Sequence, residues 1–251
     1  MNLFIPGDDA RMLCAREEAL LRRHSLTDAQ ACDVALLPLP DSSTMTAPLL
    51  MLAGRGRRVL HGRLHPSQIK ALLNRGWQPY NIQEDEAYIR ENALISAEGA
   101  LYAAMSHVNF TLRGARCAVV GYGRIGRELT RLLIALGAQV HVIARREESR
   151  QQAQAAGAQT YGIDALPEAF AGVQLLFNTV PSQTITPAAL QQLSANALVM
   201  ELASPPYGFD MAAARELGLN AMLESGIPSR YAPRTAAKLL IDHIEAGDQH
   251  G

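Results

Sequence analysis

Gly121, Gly123 and Gly126 set the spacing G-x-G-x-x-G directly after the apolar run Cys117–Val120. A dinucleotide-binding turn needs that arrangement. The first glycine bends the chain out of a strand, the second lets the backbone come close to a pyrophosphate, and the third lets the next helix pack on the strand. Arg124 and Ile125 open that helix, whose first N–H groups lack intrahelical partners and lie at the positive end of the helix dipole. A second apolar stretch, Gln139 to Ala144, ends in Arg145 and Arg146, with Arg150 one turn into the following helix. A carboxylate at that place would bind the ribose 2′-hydroxyl of NAD, whereas guanidinium groups pair with a 2′-phosphate. The expected cofactor is therefore NADP, with NAD as the alternative.

In an open parallel sheet, ligands lie outside the carboxyl ends of the strands. Three such ends are polar in this sequence: Asn178-Thr179-Val180-Pro181-Ser182, Glu201-Leu202-Ala203-Ser204-Pro205 and Glu224-Ser225-Gly226-Ile227-Pro228. Each would be ordinary turn chemistry alone, since Asn, Ser, Gly and Pro are turn formers. Their recurrence at successive strand ends points to a site, with Asn178, Thr179, Pro181 and Ala203 on the cofactor side. Glu98 and His107, on the segment leading into the first dinucleotide strand, are candidates for proton transfer. A histidine suits that work because it titrates near neutral pH.

The elements that must position these groups follow from length and pattern. The chain has 251 residues, 48% of them hydrophobic, enough for one large domain or two small ones. Its net charge of −1 gives no reason to expect a nucleic-acid or anionic-membrane partner. Cys14, Cys32 and Cys117 lie far apart with no CxxC, so neither a metal site nor a disulfide framework is indicated. No signal peptide and no apolar run of bilayer length is evident, and the expected setting is the cytoplasm.

Strands and helices alternate. Strands are expected at Asn2–Pro6, Asp33–Leu39, Arg57–Leu60 and Trp77–Ile82. Helices are expected from an N-cap at Asp9 to about Arg23 and over Pro66–Arg75. Glu84 to His107 reads as helical with a break near Leu94–Ser96. Beyond the glycine turn, strands are expected at Gln159–Tyr161, Val173–Thr179, Ala197–Leu202 and Asn220–Leu223, and a last helix at Pro233–Ala246. This is an α/β chain with a Rossmann-type doubly wound parallel sheet. Residues 1–91 form a smaller, shortened flavodoxin-like αβ domain and residues 92–231 the NADP-binding domain. The helix in 232–251 returns to pack on the N-terminal domain.

Several motifs together resemble the dipicolinate synthase A-subunit family, over most of the chain. Gly7-Asp8-Asp9-Ala10-Arg11 is similar to that family's N-terminal G-D-x-R turn. Asn92 through Phe110, with Ser96-x-Glu98-Gly99 and His107, is similar to its approach to the dinucleotide strand. Asn178-Thr179-Val180-Pro181-Ser182 resembles N-T-[IV]-P-S. Glu201 to Asp210 resembles D-L-A-S-x-P-G-G-x-D. Gly226-Ile227-Pro228 with Ala232-Pro233-Arg234-Thr235-Ala236 resembles G-L-P-G and A-P-K-T-A. The sequence departs from the pattern at Glu201 for Asp, at Pro206-Tyr207 in the P-G-G turn, at Ser229 for Gly and at Arg234 for Lys.

The resemblance implies an NADP-dependent dehydrogenase that forms dipicolinate, pyridine-2,6-dicarboxylate, from a dihydro- or hydroxytetrahydrodipicolinate precursor. It implies Ser182, Ser204, Gly226, Arg234 and Thr235 as donors to the two substrate carboxylates, and Glu98 or His107 as the base. As partner it implies a flavoprotein-like second subunit, with a homodimer in addition. Two other readings stay open. One is a 2-hydroxyacid-type dehydrogenase, suggested by Thr111-Leu112-Arg113-Gly114, although the late histidines His243 and His250 fall on a terminal helix and a tail. The other is a non-catalytic NADP-binding regulatory module.

Overall fold

The structure is a computed structural model that describes residues 1–39, 41–44, 46–52 and 58–248. The chain divides into two units, Met1–Ile95 with Pro228–Gly251, and Ser96–Ile227. Each is built on an all-parallel sheet, as alternating strands and helices require.

The first unit runs β1 (Asn2–Phe4), α1 (Ala10–Leu21), β2 (Ser25–Leu26), β3 (Val34–Leu36), α2 (Thr46–Met51), β4 (Arg58–His61), α3 (Pro66–Asn74) and β5 (Gln78–Asn81). Its five strands lie in the order β2-β1-β3-β4-β5, which is the flavodoxin-like order. Asp9 caps α1 by accepting the N–H groups of Arg11 and Met12 at 3.0 and 3.3 Å. The β3 segment alternates as a strand buried on both faces must: Val34 and Leu36 join a core with Met12, while Ala35 and Leu37 face Leu49, Leu72 and Trp77. No helix joins β2 to β3. A turn takes its place, with Asp28 accepting from the N–H groups of Gln30 and Ala31. The two-residue β2 and the short α2 were not anticipated, because neither is long enough to display a period. The expected strand start at Arg57 lies outside the described residues.

Helix α4 (Glu86–Met105) carries the chain from the first unit into the second without interruption. The break expected at Leu94–Ser96 is absent. Ile95, Ser96 and Ala97 are all buried, and packing outweighs the few tenths of a kcal/mol of helix propensity lost at Ile and Ser, roughly 0.5 kcal/mol each.

The second unit contains β6 (Arg116–Val120), α5 (Arg124–Ala135), β7 (Gln139–Ile143), α6 (Glu147–Ala155), β8 (Gln159–Tyr161), α7 (Leu166–Ala169), β9 (Leu175–Asn178), α8 (Pro187–Leu190), β10 (Leu198–Glu201), α9 (Met211–Glu216) and β11 (Asn220–Leu223). The order β11-β10-β9-β6-β7-β8 is the Rossmann order, with the switch of direction between β6 and β9. Ala118, Val120, Leu176, Val199, Ala189 and Phe170 lie in one core against this sheet.

After α10 (Ile227–Tyr231), also unanticipated, α11 (Pro233–Asp248) returns to the first unit. Ala237, Leu240, Ile241 and Ile244 enter the same core as Leu3, Ile5 and Met12. Helices α1 and α11 run parallel. At one end Ser229 donates to Asp9 at 2.7 Å, and at the other Arg22 pairs with Asp242 at 2.7 Å and Glu245 at 2.6 Å. Among the described residues no helix is long and apolar enough to cross a membrane.

Candidate cofactor and active site

Strand register brings the polar strand ends of the second unit into one row. Ile143, Val120, Asn178, Glu201 and Leu223 are successive Cα partners across β7, β6, β9, β10 and β11. The glycine turn therefore leaves the sheet beside the segment after Asn178, and that segment lies beside the one after Glu201.

The glycines of the turn have separate causes. Gly121 adopts φ +96° and donates its N–H to Ile143 O at 2.8 Å. A Cβ there would stand 2.4 Å from Thr179 Oγ1, which is held by donating to Val120 O at 2.9 Å. A Cβ on Gly126 would stand 2.2 Å from the Gly121 carbonyl oxygen. Protein packing thus demands these two. Gly123 is different. Its φ of −80° suits any residue, and a Cβ would meet no protein atom within 4 Å. The space kept clear at Gly123 fits the close approach of a phosphate group. Gly123 also caps α5 without a side chain, and the first intrahelical bond is Arg127 N–H to Gly123 O at 2.9 Å. The amides of Ile125 and Gly126 are therefore left for a ligand or water. By contrast α1, α3, α8 and α9 are capped by the side chains of Asp9, His65, Thr186 and Asp210. The residues present fit a dinucleotide.

The three arginines after β7 fall into two groups. Arg150 turns inward and donates to Ala144 O at 2.7 Å and Arg145 O at 2.9 Å, and its other arm pairs with Glu147. It shapes the loop rather than offering a free guanidinium. Arg145 and Arg146 are exposed and pair with no group among the described residues. Arg127, which the sequence did not single out, donates to Tyr122 O at 3.3 Å and stacks on the Tyr122 ring at 5.5 Å.

Asn178 and Glu201 form the floor of the next two loops. Asn178 Nδ2 donates to Val180 O at 3.0 Å and to Glu201 Oε1 at 2.7 Å, and its Oδ1 accepts from Val180 N–H at 3.2 Å. Its amide is fully occupied by protein, so Asn178 holds the loop and does not reach outward. Glu201 Oε1 also accepts from Ala203 N–H at 2.8 Å, and Oε2 from Gly208 N–H at 2.7 Å. Burial pushes the Glu201 carboxyl above its ordinary range, and the three donors only partly offset that. A Cβ at Gly208 would stand 2.2 Å from Asn178 Nδ2, so this glycine is fixed by the same network. The preceding residue, Tyr207, takes φ +63°, the left-handed conformation that favours glycine.

The outer faces of these loops carry the remaining expected residues. Thr179 and Ala203 are half-buried, and Pro181 and Ser204 are exposed. Ser182 is half-buried, its N–H donating to Val180 O at 2.9 Å. Gly226 is exposed with φ +62° just before α10. Arg234 and Thr235 are exposed on the first turn of α11, in the first unit. Glu98 is exposed on α4, and His107 is exposed in the turn after it, its Nδ1 bonded to Ala103 O at 2.8 Å. Among the described residues neither is hydrogen-bonded to the glycine turn or to the strand-end loops.

Residues 82–203 match the family of D-isomer specific 2-hydroxyacid dehydrogenase NAD binding domains. The second unit is thus similar to the nicotinamide-nucleotide-binding domain of dehydrogenases. The A-subunit of dipicolinate synthase from Bacillus subtilis is 33% identical over 149 residues, which is 59% of this chain and half the length of that relative. The crystal structure of the dipicolinate synthase A-subunit from Bacillus halodurans superposes with a TM-score of 0.85 at 25% identity, covering 98% of this chain and 96% of that one. The crystal structure of the same subunit from Bacillus subtilis superposes with a TM-score of 0.83 at 21% identity, covering 100% and 96%. The chain is thus similar to the dipicolinate synthase A-subunits, in sequence over 149 residues and in fold over nearly its whole length.

Proposed function

We propose that this protein is an NADP-dependent dehydrogenase that forms dipicolinate from a dihydro- or hydroxytetrahydrodipicolinate precursor. The observation that carries the reading is the single row of strand ends, in which the segments resembling N-T-[IV]-P-S and D-L-A-S-x-P-G-G-x-D stand beside the glycine turn.

The amides of Ile125 and Gly126 would hold the pyrophosphate, and the free guanidinium groups of Arg145 and Arg146 the 2′-phosphate. Bound NADP⁺ supplies a hydride acceptor. A hydroxytetrahydro precursor first loses water to give the dihydro ring; the dihydro ring gives up one C–H as hydride and one proton, and becomes the aromatic pyridine-2,6-dicarboxylate. Aromatisation supplies driving force, so the protein has chiefly to orient the ring and take the proton. Within the second unit, Ser182, Ser204 and the backbone N–H groups near Gly226 are the donors offered to the carboxylates. His107 is suited to the base role. Its Nδ1–H donates to Ala103 O, which leaves the Nε2 lone pair to accept a proton. Glu98 is the other candidate.

The test is purified protein with NADP⁺ and the precursor, a flavoprotein-like second subunit being supplied or omitted. Absorbance of NADPH and of the pyridine product should rise together. Neither appearing with the second subunit supplied would refute the activity.

A 2-hydroxyacid dehydrogenase is the second reading, favoured by the match over residues 82–203. Against it, His243 is occupied within α11, its Nδ1 bonded to Leu239 O at 2.9 Å, and its ring meets Tyr88 edge-on at 5.6 Å. Turnover of a D-2-hydroxyacid without any dicarboxylate dehydrogenation would favour this reading.

A further inference from the structure

We infer that Tyr207 is a substrate-binding residue of the second unit, its phenol donating to one carboxylate of the dicarboxylate ring. The inference rests on the dicarboxylate reading above and adds a residue to it.

In the Rossmann order each half of the sheet takes one mononucleotide of the cofactor, on either side of the switch between β6 and β9. With the 2′-phosphate at Arg145 and Arg146, the adenosine belongs over the β6-β7-β8 half. The nicotinamide, and the ring that gives it a hydride, then belong over the loops after β9 and β10. Tyr207 stands in the second of these loops. A Cβ on the next residue, Gly208, would meet the Asn178 amide at 2.2 Å. The Tyr207 backbone therefore runs beside the loop that bears Ser182.

The backbone there is held from both sides. Tyr207 N–H donates to Ser204 O at 3.2 Å. Gly208 donates to Glu201 Oε2 at 2.7 Å and its carbonyl accepts from Ile185 N–H at 3.0 Å. Phe209 is buried in the core of the unit. These contacts impose φ +63° on Tyr207, which glycine takes freely and a bulky side chain rarely takes. Strained residues of this kind persist where the surroundings over-determine them, and they cluster at ligand sites. The tyrosine draws little from the protein in return. Its side chain is half-buried and stands outside that core. Among the described residues its phenol makes no hydrogen bond, its ring meets no other ring, and its oxygen is not sealed from solvent. The chemistry of the two loops gives the phenol a task. Residues 179–186 and 202–210 include no Lys, Arg or His, so a carboxylate between them meets neutral donors only. A phenol is a stronger donor than the hydroxyls of Ser182 and Ser204, and its bond to a carboxylate is charge-assisted.

The test is calorimetric titration of dipicolinate into the full chain saturated with NADPH, for wild type, Tyr207→Phe and Tyr207→Gly. Tyr207→Phe removes the hydroxyl alone. It should raise the dissociation constant for dipicolinate about ten- to a hundredfold, the loss expected for a hydrogen bond to a charged group. NADPH affinity and melting temperature should stay as in wild type. Tyr207→Gly, which relieves the backbone, should fold and bind dipicolinate no better than Tyr207→Phe. A merely structural tyrosine would lower the melting temperature on substitution and leave dipicolinate binding intact. Unchanged binding in Tyr207→Phe therefore overturns the inference. Tighter binding in Tyr207→Gly than in wild type also overturns it, since the side chain would then only obstruct the site. Wild-type protein that binds NADPH but no dipicolinate would instead overturn the dicarboxylate reading, and this inference with it.

Discussion

Asn178 donates to Glu201 at 2.7 Å with neither residue retaining any solvent-accessible surface. One carboxylate thereby ties two loops, because it also accepts from Ala203 and Gly208 in the loop after its own strand. Glu201→Gln keeps the shape but turns an amide N–H against a backbone N–H. The loss should be about 2 kcal/mol, or roughly 4–8 °C in melting temperature. The sign with pH is opposite to the usual carboxylate. The folded-state pKa of Glu201 is raised by burial, so the stability it contributes is present below its unfolded value, about 4.3, and is lost as pH rises through the folded value. Melting curves from pH 4 to pH 7 should show the Gln variant gaining on wild type as pH rises. A constant gap would contradict the assignment.

Gly123 and Gly126 separate ligand binding from folding. Gly123→Ala meets open space at φ −80°, so stability should stay within about 0.5 kcal/mol while NADPH affinity falls. Gly126→Ala drives a Cβ to 2.2 Å from a backbone oxygen and should cost about 1–3 kcal/mol. Urea unfolding and NADPH fluorescence titration of both variants would check this. Equal affinity of Gly123→Ala and wild type for NADPH would remove the reason for that glycine.

Arg145 and Arg146 should discriminate between cofactors where Arg150 does not. Replacing both by Ala should weaken NADPH binding about ten- to a hundredfold, as expected for charge-assisted pairs, with little change for NADH. Arg150→Ala releases the carbonyls of Ala144 and Arg145, so it should weaken NADPH and NADH alike. Tighter binding of NADH than NADPH by the wild type would reverse the cofactor assignment.

Tyr207 occupies a glycine conformation, φ +63°, at the place where the resembling pattern has Gly. An aromatic residue there is strained by about 1–2 kcal/mol, part of which Gly returns as unfolded-chain entropy. Tyr207→Gly should therefore stabilise the protein by roughly 0–1 kcal/mol, read from urea unfolding. A marked destabilisation would mean that the phenol side chain supplies contacts worth more than the strain.

The elements that display a period were legible. Gln159–Tyr161 and Asn220–Leu223 are strands with the bounds expected of them, and Asp9 caps the first helix as its type and place indicate. The glycine turn was legible because steric demand at Gly121 and Gly126 leaves few other solutions. What local pattern does not encode is direction. Arg11, Arg145 and Arg150 are the same side chain, and which of them turns inward depends on carbonyls supplied by Leu39, Ala144 and Arg145. Asn178 is typical of a ligand-facing strand end until Glu201, from the neighbouring strand, takes its amide. The continuity of α4 was hidden for the same reason, since burial of Ile95 and Ser96 is a tertiary fact.

The parallel pair α1 and α11 should make the first unit sensitive to acid. Arg22 joins Glu18, Asp242 and Glu245, and His24 meets Glu245 at 2.9 Å. Burial alone would raise the Glu245 carboxyl, but hydrogen bonds from His24 and Arg22 and the Arg22 charge hold it below its ordinary range. Burial likewise opposes, and Lys238 and Arg22 outweigh, the shift at Asp242, which is also lowered. Carboxylates with depressed folded-state values contribute stability above their unfolded values, about 4, and lose it as pH falls through the folded ones. Trp77 is the one tryptophan and lies buried in this unit, so its fluorescence reports unfolding there. Arg22→Met should be less stable than wild type at pH 7, and the gap should close as pH falls below about 4, when the carboxylates protonate in both proteins. A gap that persists at low pH would mean that Arg22 acts through packing of its stem rather than through its charge.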